Sequence, residues 1–167
     1  KAKGAGLKRV EDYRTDQLID DVRLLAKGFQ KLEGSFWDQV GECESLSSGR
    51  DVFHWIADGA LTEYHINQYL IDDSDNFAGR VQSHEGGRLQ IKDIGRERLM
   101  GRHAWGVHPK NIYQAMALDA LLDPTLDLVI LTGPAGCGKT LLAMAAALEL
   151  VVERGIYERI IVTRNTP

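Results

Sequence analysis

Apolar residues Leu18, Val22, Leu25, Phe29 and Leu32 recur at alternating steps of four and three, which draws one apolar stripe along a helix over residues 15–32. Thr15 and Asp16 suit its start and Gly34 its end. Ser35, Phe36, Trp37 and Asp38 predict a short capped helical turn with both aromatics packed inward, and the Ser/Gly-rich residues 44–50 read as a connection. From Asp51 the period shortens. Runs rich in β-formers at 52–56, 63–71, 77–82 and 88–94 alternate with turn signals at Asp58-Gly59, residues 72–76 and Glu85-Gly86-Gly87. Closely spaced strands of this kind predict a small antiparallel sheet or barrel over residues 51–100.

Beyond Gly95 the glycines at 101 and 106 and Pro109 predict a linker through residue 110. The pattern then predicts a helix at 111–122, a strand at 127–132, a helix at 139–153 stopped by Gly155, and a strand at 159–163. That order is a parallel βαβ unit with a helix before it, so the fold class expected is α/β. The helix at 139–153 is apolar on nearly every side, with Leu141, Leu142, Met144, Ala145, Ala146, Leu148, Leu150 and Val151, and is expected to be buried between the sheet and another layer.

The strand-to-helix junction of that unit reads Gly133, Pro134, Ala135, Gly136, Cys137, Gly138, Lys139, Thr140, then Leu141. Two glycines, a lysine and a Ser/Thr at these offsets, between a strand and a helix, form a phosphate-binding loop. Glycines let successive backbone N–H groups converge on a phosphate, and the helix start adds positive potential. Lys139 is expected to reach the β- and γ-phosphates of ATP, and the Thr140 hydroxyl to hold the Mg²⁺ that comes with the nucleotide.

At 44% hydrophobic and 26% charged residues, the 167-residue chain has the composition of a folded globular protein. No run of about 18 apolar residues and no leader-like start occurs, so no membrane span is expected and a cytoplasmic location is. Cys43 and Cys137 are too few for a disulfide framework. His54, His65, His84, His103 and His108 lack zinc-ligand spacing. The net charge of −4 hides an uneven distribution. Between residues 80 and 110, Arg80, Arg88, Lys92, Arg96, Arg98, Arg102 and Lys110 face only Glu85, Asp93 and Glu97, an excess of +4. Arg80, Arg88 and Lys92 on the last two strands are candidate nucleic-acid contacts.

These features resemble the PhoH family of P-loop ATPases, in the version where a PIN ribonuclease domain precedes the ATPase. Three stretches carry the resemblance. Lys1 to Leu7 with Glu11, Asp12, Tyr13 and Arg14 resemble the last PIN helix and the start of its connector. His108, Pro109, Lys110, Asn111, Ile112, Tyr113 and Gln114, with Ala117 to Leu122, are similar to the entry into the ATPase core. The loop at 133–140, together with Val151 to Gly155 and Arg159 to Arg164, is the most specific.

The resemblance implies a helical connector over residues 1–50, the β unit over 51–100, and the first part of a P-loop ATPase domain over 101–167. It implies an ATPase core related to superfamily 1 helicases that acts on single-stranded RNA and assembles into homo-oligomeric rings. Gln114 then matches a glutamine that reads the adenine edge, its amide supplying both a donor and an acceptor. Arg164, Asn165 and Thr166 match a loop that touches single-stranded nucleic acid. No strand-borne acid follows the loop, and no arginine finger is identifiable. The whole protein is therefore expected to hydrolyse ATP, whereas this stretch alone binds nucleotide weakly and turns over little. The competing reading is a nucleic-acid-binding or oligomerisation module with a nucleotide-gated, non-hydrolysing loop.

Overall fold

A computed structural model describes residues 26–61, 63–74 and 76–163. Its sheet has six strands: β1 (Phe29–Lys31), β2 (Cys43–Ser48), β3 (Asp51–Ala57), β4 (Tyr69–Ile71), β5 (Ala78–Glu85) and β6 (Arg88–Asp93). The order is β1-β4-β5-β6-β3-β2, with β1 parallel to β4 and every other pair antiparallel. The sheet is open, with β1 and β2 at its edges. β5 and β6 turn through Gly86 and Gly87, at φ +59° and +75°, the left-handed pair a two-residue hairpin requires.

One face of the sheet is closed by the short helix α1 (Phe36–Val40), which buries Phe36 and Val40 against Ile56, Leu70, Val81, Leu89 and Ile91. Phe36 stacks on Phe77 at 3.8 Å between ring centroids. Buried Asp72 fixes this corner, because its two carboxylate oxygens accept the backbone N–H groups of Phe36, at 2.8 Å, and Phe77, at 3.0 Å. The predicted capped turn at Ser35 is present, with the hydroxyl accepting Trp37 N–H at 3.2 Å; Trp37 itself is half exposed.

On the other face, α2 (Arg96–Met100) and α3 (Ile112–Leu121) pack Leu99, Ile112, Ala115 and Met116 on Tyr69, Ile71 and Ala78. A polar seam joins the same surfaces. The Tyr69 hydroxyl donates to Asp119 at 2.7 Å, Arg102 clamps the second Asp119 oxygen at 2.7–2.8 Å, and buried Arg80 pairs with Asp123. Burial, then the Asp119 carboxylate, pushes the Tyr69 hydroxyl well above its usual range, so it stays a donor. α4 (Lys139–Leu148) continues into a π turn at Glu149–Glu153 and buries Leu142, Ala145, Ala146 and Leu150 against Leu118 and Leu122.

Several expectations are corrected. Phe29–Lys31 is a strand rather than the end of a helix: Gly28 C=O accepts Tyr69 N–H at 2.9 Å and Leu32 N–H donates to Ile71 C=O at 2.8 Å, so long-range pairing overrides the local stripe. The rest of that predicted helix, up to residue 25, lies outside the described residues. Residues 44–50 are mostly edge strand β2, where an outward side tolerates serine. The strand predicted at 63–71 shrinks to Tyr69–Ile71, after Asn67 adopts φ +69°. The 96–110 linker contains α2 and a tight turn bridging Ala104 and Val107.

Residues 127–132 and 159–163 form no ladder, and Leu128, Ile130, Ile161 and Val162 are 65–78% exposed. A parallel strand needs hydrogen-bonding neighbours and two covered faces, and neither surrounds these runs among the described residues. No βαβ core is formed among the described residues. For the same reason α4 is buried on one stripe only, leaving Leu141 59% exposed.

Candidate functional site

The helix expected at 111–122 supplies one wall. Asn111 caps α3 by accepting Gln114 N–H at 3.0 Å, and Leu122 ends it. Across from it runs the loop at 133–140. Gly133, Gly136 and Gly138 have φ of +146°, +79° and +93°, values that strain any other L-residue, so the glycines of the motif are there for backbone shape. Gly138 caps α4 without a side-chain acceptor, and the first turn carries no acid. The N–H groups that open α4 therefore face outward with the positive end of the helix dipole behind them, the arrangement that binds anions.

Lys139, the first residue of α4, folds back over the loop. Its ammonium donates to Gly133 C=O at 2.8 Å and Pro134 C=O at 2.7 Å, with the Cys137 thiol 3.6 Å away. Thr140 is exposed in the first turn of α4, and Pro134, Ala135 and Leu141 are exposed around the loop. Gln114 bridges the two walls: its Oε1 accepts Lys110 N–H at 2.7 Å, and its Nε2 donates to Cys137 C=O at 3.0 Å. The family resemblance, and not the local sequence, implies an adenine contact for Gln114. What it missed was the bond to the loop, which no local pattern encodes.

The basic candidates on the sheet do not act as one group. Arg80 is 6% exposed and turned onto Asp123 beneath the surface. Burial pushes the Asp123 pKa up, but bonds from Thr125 and Arg80 outweigh it and hold the carboxyl below its usual range. Arg88 lies over the Trp55 ring and pairs with Glu44 at 2.8 Å, while Lys92 lies over Phe53 and pairs with Asp51 at 2.8 Å. Register puts Phe53, Trp55, Arg88 and Lys92 on one face. Arg164, Asn165 and Thr166 lie outside the described residues.

Two further arrangements were not legible in the sequence. Ser45, His54 and Asp93 form a cross-strand chain, with 2.8 Å from Ser45 to Nδ1 and 3.3 Å from Nε2 to Asp93, which satisfies a buried imidazole. An open cavity of about 360 Å³ lies at the far end of α4, between His103, Trp105, Gly106, Glu149 and Glu153. None of the loop residues 133–140 lines it. Among the described residues no three His, Cys, Asp or Glu side chains gather to hold a metal, and no helix is long and apolar enough to cross a membrane.

The family described as "PhoH-like protein" matches residues 106–166. Over 62 residues the chain is 52% identical to Protein PhoH2 of Bacillus subtilis, covering 37% of this chain and 14% of that protein. It is 35% identical over 100 residues to Protein PhoH2 of Thermobispora bispora, covering 60% and 21%, and 30% identical over 132 residues to that of Mycolicibacterium smegmatis, covering 75% and 28%. The chain thus spans between 14% and 28% of the length of these relatives. No solved structure matches.

Proposed function

We propose, from the premise that the chain belongs to the PhoH family across residues 106–166, that residues 133–140 bind the phosphates of ATP for an ATPase that remodels RNA. One observation carries the reading: a loop with three left-handed glycines opens onto the uncapped start of α4, with Lys139 folded over it. That backbone fits a phosphate. Bound phosphate would draw Lys139 from its own carbonyls onto the β- and γ-oxygens, while the amides at the start of α4 donate to the same group. Thr140 is the one side chain of the motif suited to Mg²⁺, which would neutralise charge on the β- and γ-phosphates when bound.

Turnover further needs an acid on a neighbouring strand, and no such strand is formed among the described residues. The chain is therefore assigned phosphate binding, and hydrolysis, the ring assembly and any coupled PIN nuclease are assigned to the whole protein. RNA contact is assigned to Arg88 and Lys92 and to Arg164, Asn165 and Thr166; buried Arg80, held on Asp123, is left out of it. Phe53 and Trp55 beneath the first two favour single strands, whose bases stack on aromatic rings. The test is ATP turnover by a full-length protein carrying this segment, with and without RNA. Lys139→Ala is expected to abolish RNA-stimulated turnover; unchanged turnover would refute the proposal.

A further inference from the structure

We infer that Gln114 acts as a strap that holds the phosphate loop in its binding shape. The inference rests on the reading of residues 133–140 as a phosphate site. Each end of the Gln114 amide is committed to backbone. Oε1 accepts Lys110 N–H at 2.7 Å on the chain entering α3, and Nε2 donates to Cys137 C=O at 3.0 Å inside the loop.

The loop side of this contact is tight. A Cβ placed on Gly138 would come within 3.2 Å of Gln114 Nε2, so the amide lies against the residue that opens α4. Pinning the Cys137 carbonyl toward α3 fixes the orientation of the next peptide unit. In a trans peptide the Gly138 N–H lies opposite that carbonyl, so it is turned away from Gln114, to the side where the proposed anion would be met. The carbonyl would otherwise be free to swing inward, where its negative end opposes phosphate.

A helix-capping role alone does not account for the geometry. Asn111 already caps α3 by accepting Gln114 N–H, and the Oε1 bond to Lys110 N–H completes that turn in the manner of a capping box. The Nε2 bond to Cys137 reaches 23 positions along the chain, to a different element, and adds nothing to the cap. Gln114 is thus a positioning residue. It couples the entry of α3 to the shape of the phosphate cradle.

The roles separate by substitution. Glutamate keeps the acceptor for Lys110 N–H but has no donor for Cys137 C=O, whereas alanine loses both. Binding of tripolyphosphate, ATP and GTP to the 167-residue chain is to be measured for wild type, Gln114→Ala and Gln114→Glu, with thermal unfolding of each. The strap predicts that both substitutions weaken all three ligands, Gln114→Ala roughly five- to tenfold for one lost hydrogen bond between prearranged groups and Gln114→Glu by more because its carboxylate also repels the polyanion, with the ATP-to-GTP ratio unchanged. Gln114→Ala, which also loses the bond to Lys110 N–H, is expected to lower the melting temperature.

A changed ATP-to-GTP ratio with tripolyphosphate affinity intact would overturn the strap in favour of base reading. Wild-type affinity for tripolyphosphate in Gln114→Glu would reduce the residue to a cap. If the wild-type chain bound none of the three ligands, the phosphate-site reading would fall and the strap with it.

Discussion

Two regions of this molecule contain similar apolar runs and end in opposite states. In the sheet, Ile56, Leu70, Leu89 and Ile91 are fully buried, whereas Leu128, Ile130, Ile161 and Val162, on either side of the loop at 133–140, are 65–78% exposed. Composition does not separate them. The sheet strands find antiparallel neighbours a few residues away, joined by tight turns such as Gly86-Gly87. A parallel βαβ strand needs partners brought from far along the chain, with layers on both faces. The loop and the helix that follows it hold their shape without those strands, because their geometry comes from glycines, Lys139, Gln114 and packing on α3.

This contrast orders the expected effects of substitution. Ile56→Ala, in the closed core, is expected to lower stability by about 2–5 kcal/mol in denaturant unfolding. A loss under 1 kcal/mol would mean that the sheet core is loosely packed. Asp72→Ala strips acceptors from the buried Phe36 and Phe77 N–H groups, and a loss of about 1–3 kcal/mol per orphaned group is expected, with wild-type stability contradicting its role as the corner of the sheet.

The seam between the regions has a pH signature. Asp123 is held below its ordinary value of 3.8, so ionised Asp123 stabilises the folded chain. The stability of wild type over Asp123→Asn is expected to be complete above the unfolded pKa, near 4, and to fade as pH falls through the lower folded value. A difference that persisted undiminished at pH 2 would count against the Arg80–Asp123 pair as its source. Smallest of all, Ile161→Gln is expected to change the stability of this chain by under about 0.5 kcal/mol, as for an exposed position. A loss of 2 kcal/mol or more would show that the run is buried after all.

Much of this was legible in the sequence. Turn residues announced the β5–β6 hairpin, and Asn111 and Leu122 bounded α3 as expected. The loop motif announced its glycine geometry. What escaped was non-local. Phe29–Lys31 kept a helical stripe yet paired with β4, because a strand partner 40 positions away is invisible to periodicity. The Ser-rich β2 looked like a linker because an edge strand needs few apolar residues. The 127–132 and 159–163 runs looked like strands because an apolar pattern states what a segment would bury and not whether a partner is present. At the candidate site the sequence names the loop residues, while the bond from Gln114 to Cys137 and the pairing of Arg80 with Asp123 depend on the assembled fold.

The central claim is that residues 133–140 form a phosphate cradle in this chain. Backbone amide NMR during a titration with MgATP tests it most directly. The account predicts saturable shifts at Gly133, Gly136, Gly138, Lys139 and Thr140, abolished in Lys139→Ala, with β2 and β3 unmoved. Absent shifts at the loop, or the same shifts in Lys139→Ala, would contradict it.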